Sequence, residues 1–97
     1  MTVDDLQELF EKHDDEYGEF DRVSPKRSGR HDLHAFLLLD ELLPGTDRIV
    51  SAAEHDEIFL SVDLEDLAKS SITEAQVIEL IRCRVRMSSF DSLCMFV

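Results

Sequence analysis

Residues Val50 to Leu67, VSAAEHDEIFLSVDLEDL, change hydrophobic period in mid-course, and that change decides the fold. Ile58, Leu60 and Val62 alternate with Phe59 and Ser61, the period of two that a strand requires. From Asp63 onward the spacing Leu64, Leu67, Ala68 is helical. His55-Asp56-Glu57 is a polar interruption after the small, mixed run Ile49 to Ala53. The pattern predicts a hairpin, about Arg48 to Ala53 and Glu57 to Val62, with the first strand the weaker, and its second strand runs directly into a helix.

Toward the C-terminus, Asp63 caps a short helix with Val62 and Leu67 as its hydrophobic staple. Thr73-x-x-Gln76 makes a capping box for another helix, stapled by Ile72 and Val77, with Ala75, Val77, Ile78, Leu80 and Ile81 on its buried face and its end near Cys83. The tail reads as a second hairpin: Arg84 to Met87, a turn over Ser88 to Asp91, then Leu93 to Val97. Five apolar residues in succession predict that the last strand is central or covered on both faces.

Toward the N-terminus, Pro44-Gly45 ends a helix over His31 to Leu43 for which Asp32 is the expected cap. Leu33, Phe36, Leu37, Leu39 and Leu43 spread apolar positions around much of its circumference, so it is expected to be the principal helix on the sheet. Thr2 caps an earlier helix, about Thr2 to His13, with Asp5 in the third turn position and a narrow stripe of Leu6, Leu9 and Phe10. These elements predict an α+β fold: a four-stranded, mostly antiparallel sheet of two hairpins with helices packed on one face. One domain spans residues 1–97, with 31–97 as core and the acidic helix and loop of 1–30 expected at the periphery. Phe36, Leu39, Ile58, Leu60, Val62, Val77, Leu80, Ile81, Leu93 and Met95 are the expected core.

The chain of 97 residues carries 22 acids against 10 bases, a net charge of −12, which repels nucleic-acid phosphate and favours a basic protein surface. Cys83 and Cys94 lack metal or redox spacing and are expected in the core. With no secretory signal or apolar run long enough to span a bilayer, a reduced, cytoplasmic setting is expected. Ser24-Pro25-Lys26-Arg27-Ser28-Gly29-Arg30 reverses the charge abruptly and reads as a loop, a solvated one or a contact for an acidic group.

His31 and His34 have a spacing that can hold a metal, but further ligands are wanting, Asp32 and Asp40 being near only in sequence. His55 beside two carboxylates could act as a base, yet Ser51 and Ser61 sit in no nucleophile frame. No catalytic residue, metal or cofactor is assigned, and no enzyme is expected. Binding is assigned instead to the most acidic segment. Residues 1–23 hold nine acids and two bases. In it Asp4, Asp5, Glu8, Glu11, Asp14, Asp15, Glu16 and Glu19 supply the field, and Tyr17 and Phe20 the contact.

From His55 to Val97 the chain resembles small uncharacterised proteins encoded by phages and prophages. The likeness lies in the strand HDEI, the VD-capped helix, the TE-started helix ending in RC-x-VR, and the DSL-x-MF tail. It implies a phage or prophage gene as the setting and brings no active site with it. The expectation is a non-enzymatic acidic protein that docks on a basic surface, such as that of a host defence or nucleic-acid enzyme, and modulates or inhibits it. The alternatives are an antitoxin or immunity-type partner and a small enzyme using His55.

Overall fold

The computed structural model describes residues 1–46, 48–88 and 92–96. Its elements run α1 (Val3–Lys12), two single 3-10 turns (Asp14–Glu16 and Phe20–Arg22), α2 (His31–Leu42), β1 (Val50–Glu54), β2 (Glu57–Leu60), α3 (Leu64–Lys69), α4 (Glu74–Arg82), β3 (Val85–Met87) and β4 (Leu93–Phe96). The four strands form one antiparallel sheet in the order β1-β2-β4-β3, an α+β fold of two hairpins. The second hairpin therefore lays its last strand against β2, which makes β4 central as its composition predicts. Leu93, Cys94 and Met95 are all fully buried. The expected turn residues 89–91 and Val97 lie outside the described residues.

Local chemistry accounts for the helix starts. Thr2 and Asp5 exchange side-chain and backbone hydrogen bonds in a capping box, as do Thr73 and Gln76. The Asp63 carboxylate accepts the Glu65 and Asp66 N–H groups of α3. Asp32 is not the cap of α2: Arg30 occupies that position, and Asp32, one residue inside the helix, accepts from the Leu33 N–H instead. At the hairpin tip His55 takes a left-handed φ of 54°, so the polar interruption is the turn itself. A bulge between Val50 and Ala52 disturbs β1, whose five residues are all exposed.

Two further expectations are corrected. The buried face of α2 is His34, Ala35, Leu38, Leu39 and Leu42, while Leu33 and Leu37 are 43% and 41% exposed and Phe36 is only half-buried. With leucine on every side of α2, hydropathy alone could not choose its inner face. The N-terminal helix is likewise no peripheral attachment. Leu6 and Phe10 are buried in the same cluster as Leu38, Val77, Leu80, Ile81 and Met95, because α1 packs on α4, α3 and β3. Of the expected core, Ile58 is also half-buried and packed against that cluster, and the remaining eight positions are buried.

The ladder places Val85, Met95 and Ile58 in one row across the sheet, on the face that meets the helices. The next row, Arg86, Cys94 and Phe59, has the opposite face. There Arg86 pairs with Glu57 and its guanidinium lies 5.0 Å from the Phe96 ring centroid. No helix among the described residues is long and apolar enough to cross a membrane.

Candidate functional site

α1 and β3 stand side by side and leave a groove of about 390 Å³ between them. Gln7, Phe10, Glu11 and Asp14 line its helical wall, the i, i+3, i+4, i+7 positions of one helix face continued into the first 3-10 turn. Its other wall is Val85, Arg86 and Met87, with Ile81 below. Three consecutive strand residues point alternately to opposite faces, so a groove that touches all three runs along the edge of the strand. β3 is the last strand on its side of the sheet.

Tyr17 closes one end of this groove. The Gly18 N–H donates to the Ile81 carbonyl at 3.2 Å and Gly18 lies beside Arg84, which fixes Tyr17 near the start of β3. Gly18 has a φ of +78°, and glycine takes this left-handed turn without the strain a side chain would bring. The Tyr17 hydroxyl is buried and finds no hydrogen-bond partner of good geometry among the described residues. Burial raises its pKa, an effect that Arg86 and Arg84 partly offset by charge.

Of the ten residues assigned to partner binding, four are committed to the fold. Asp5 belongs to the α1 capping box, and the Thr2 backbone and side chain hold its carboxyl below the ordinary aspartate value. Glu16 accepts from Arg82 Nε at 2.9 Å and from Arg22 at 3.0 Å, and the Arg82 bond foremost lowers its pKa. Phe20 meets the His34 ring edge-on at 5.7 Å and carries Lys26 Nζ at 5.0 Å from its centroid. Tyr17 is half-buried against the core. The aromatics are thus wall and support, not free anchors. Asp4, Glu8, Glu11, Asp14, Asp15 and Glu19 are exposed and make no ion pair among the described residues. Glu11 and Asp14 are the two that the structure brings to the groove.

A second polar cluster lies inside. His34 is fully buried, its Nδ1 accepts the Arg27 N–H at 3.1 Å, and its Nε2 lies 3.1 Å from Glu79 Oε2, close in charge terms but off the hydrogen-bond line. Since Nδ1 is an acceptor, the neutral ring carries its proton on Nε2, toward the carboxylate. Cys83 follows Glu79 by one helical turn, and burial with that carboxylate pushes its thiol up to about 12. Cys94 is pushed up to about 11, by burial first. Neither is a thiolate at neutral pH, so neither supplies a nucleophile.

His31 does not converge with His34 on a common ligand, being hydrogen-bonded to the Phe96 carbonyl at 3.2 Å. Among the described residues no three His, Cys, Asp or Glu side chains gather as a metal site. His55 is exposed at the hairpin tip. The basic loop folds back on the protein: Lys26 donates to the Val23 carbonyl at 3.0 Å, Arg27 pairs with Glu41, and Arg30 lies 3.7 Å from Asp32. Comparison with family models, curated proteins and solved structures gave no match.

The groove was beyond reach of sequence reasoning, since it joins residue 7 to residue 87.

Proposed function

We propose that this chain is a non-enzymatic acidic binding protein that docks on a basic surface of another protein and modulates or inhibits it. The proposed setting is a phage or prophage gene acting in the host cytoplasm on a defence or nucleic-acid enzyme. The observation that carries the reading is the set of six exposed carboxylates, without an ion pair among the described residues, mounted on α1 and the turns after it. Mutual repulsion among them opposes folding, and a cationic partner relieves it. An antitoxin or immunity-type role is the second reading. Glu11 and Asp14 beside Phe10 and Tyr17 support it, because such a partner gathers its charges around an aromatic-walled recess.

The test captures a partner from host lysate at low salt and measures its purified form against the wild type and the Glu8→Gln, Glu11→Gln, Asp14→Asn, Asp15→Asn variant. None of these four supports a cap or an internal ion pair. Electrostatic docking requires an on-rate roughly tenfold lower in the variant and a shallower salt dependence. Equal kinetics at both salt concentrations would remove the acidic segment from the interface.

A further inference from the structure

We propose that the outer face of α2 is the contact between two copies of this chain, which pack there as an antiparallel pair of helices about a two-fold axis. This contact is independent of the docking reading above, because none of the carboxylates assigned to the partner lies on α2.

α2 is apolar on every side, the composition of a helix that is covered all round. The protein covers one side of it. Ala35, Leu38, Leu39 and Leu42 face the core, while Leu33 and Leu37, on the opposite side, are exposed. Phe36, three residues after Leu33, is half-buried at their flank. Arg30, Leu33, Leu37 and Asp40 fall at i, i+3, i+7 and i+10, the spacing of a single seam along a helix, and all four are exposed.

The charges on this face identify what covers it. From the N-terminus the seam is base, leucine, leucine, acid. A second copy laid antiparallel presents the same order in reverse, so Leu33 meets Leu37 of the copy and Arg30 meets Asp40 of the copy, each contact occurring twice. A parallel pair would set Arg30 against Arg30 and Asp40 against Asp40. Within one copy these two charges are weakly engaged: Arg30 Nε lies 3.7 Å from Asp32, and Asp40 has no ion pair among the described residues. Their order also opposes the dipole of the helix, which ends on Asp40 and Glu41 with no base in its last turn. In the antiparallel pair the acidic end of each helix lies beside the Arg30 end of the other, which relieves that opposition. The net charge of −12 does not bar the contact. Residues 24–43 hold three bases and three acids, so the excess of acid lies elsewhere in the chain, where it keeps the pairs themselves apart. One face of a helix of 12 residues is a small contact, and the dimer it makes is weak and reversible.

The experiment follows self-association of the full chain by sedimentation equilibrium, from about 10 µM to about 1 mM protein in about 0.15 M salt. A monomer–dimer equilibrium with a dissociation constant of roughly 0.1 mM is expected. Leu33→Ser with Leu37→Ser should weaken it about tenfold or more. Arg30→Asp and Asp40→Arg, each alone, set like charges together at both ends of the seam and should weaken self-association about tenfold. Mixed in equal amounts, these two variants bring an acidic seam against a basic one and should pair about as strongly as the wild type. Asp40→Arg moves the net charge toward zero, so loss of its self-association has no source in overall repulsion. Every substituted side chain is exposed, and an unchanged Tm at about 10 µM, where the monomer dominates, checks that each variant folds. If the serine pair impairs folding, the charge variants decide. A monomer at every concentration would overturn the proposal. So would a dimer that survives the serine substitutions, or charge variants that pair no better mixed than alone.

Discussion

Replacing Leu6 by alanine measures whether the N-terminal helix is part of the domain. Leu6 is fully buried against a core that includes residues from α2, α4 and the sheet. Truncation of a leucine in such a place removes its transfer free energy and leaves a cavity, together about 2–5 kcal/mol. A domain of this size has about 5–15 kcal/mol in total, so loss of this one isopropyl group takes about a third of it at the midpoint of these ranges. With a urea m-value of about 1.5 kcal/mol per molar, the unfolding midpoint should fall by about 1.3–3.3 M. Far-UV dichroism in urea gives the midpoint, and the slope of the transition shows whether unfolding remains two-state. Leu33→Ala and Leu37→Ala are the controls: both side chains are over 40% exposed on α2 and should change stability by no more than about 0.5 kcal/mol. A loss below about 1 kcal/mol for Leu6→Ala, indistinguishable from the controls, would return α1 to the periphery and leave the α1–β3 groove without a fixed wall.

Two further outcomes are expected. Ending the chain after Leu93 removes most of the central strand and should abolish the cooperative thermal transition; a native-like melt would show that the sheet closes without β4. Glu16 has its folded pKa below the ordinary value of 4.5, so its contribution is complete above that pH and is lost as the pH falls through the lower, folded value. Glu16→Gln should accordingly flatten the fall of Tm below about pH 4.5, and an identical acid limb in both proteins would show that the Arg82 and Arg22 contacts do not hold in solution.

Features encoded within a few residues were legible. The Thr2, Asp63 and Thr73 caps and the turn at His55 each depend on neighbours two or three positions apart, and each was recognisable before any tertiary contact was known. The burial of Leu93, Cys94 and Met95 was legible for a different reason: an apolar run without alternation has no face to give to water. The register of α2 was not legible, because its leucines surround it; His34 sits inside since Arg27 and Glu79 approach both of its ring nitrogens. The acidic segment was legible as a charge and not as a site. That Glu16 is not among the free carboxylates depends on Arg82, sixty-six residues away, and that pairing has no local sequence signature.

The exposed edge of β1 has a colloidal consequence. Val50–Glu54 offers small side chains and one open row of backbone groups, a surface on which like strands can stack, and the bulge disturbs only its start. At neutral pH the net charge of −12 keeps copies apart. Near pH 4.5, where the net charge approaches zero, that barrier disappears while the edge remains, so turbidity should rise there before the sheet itself unfolds, and added salt should bring its onset closer to neutral pH.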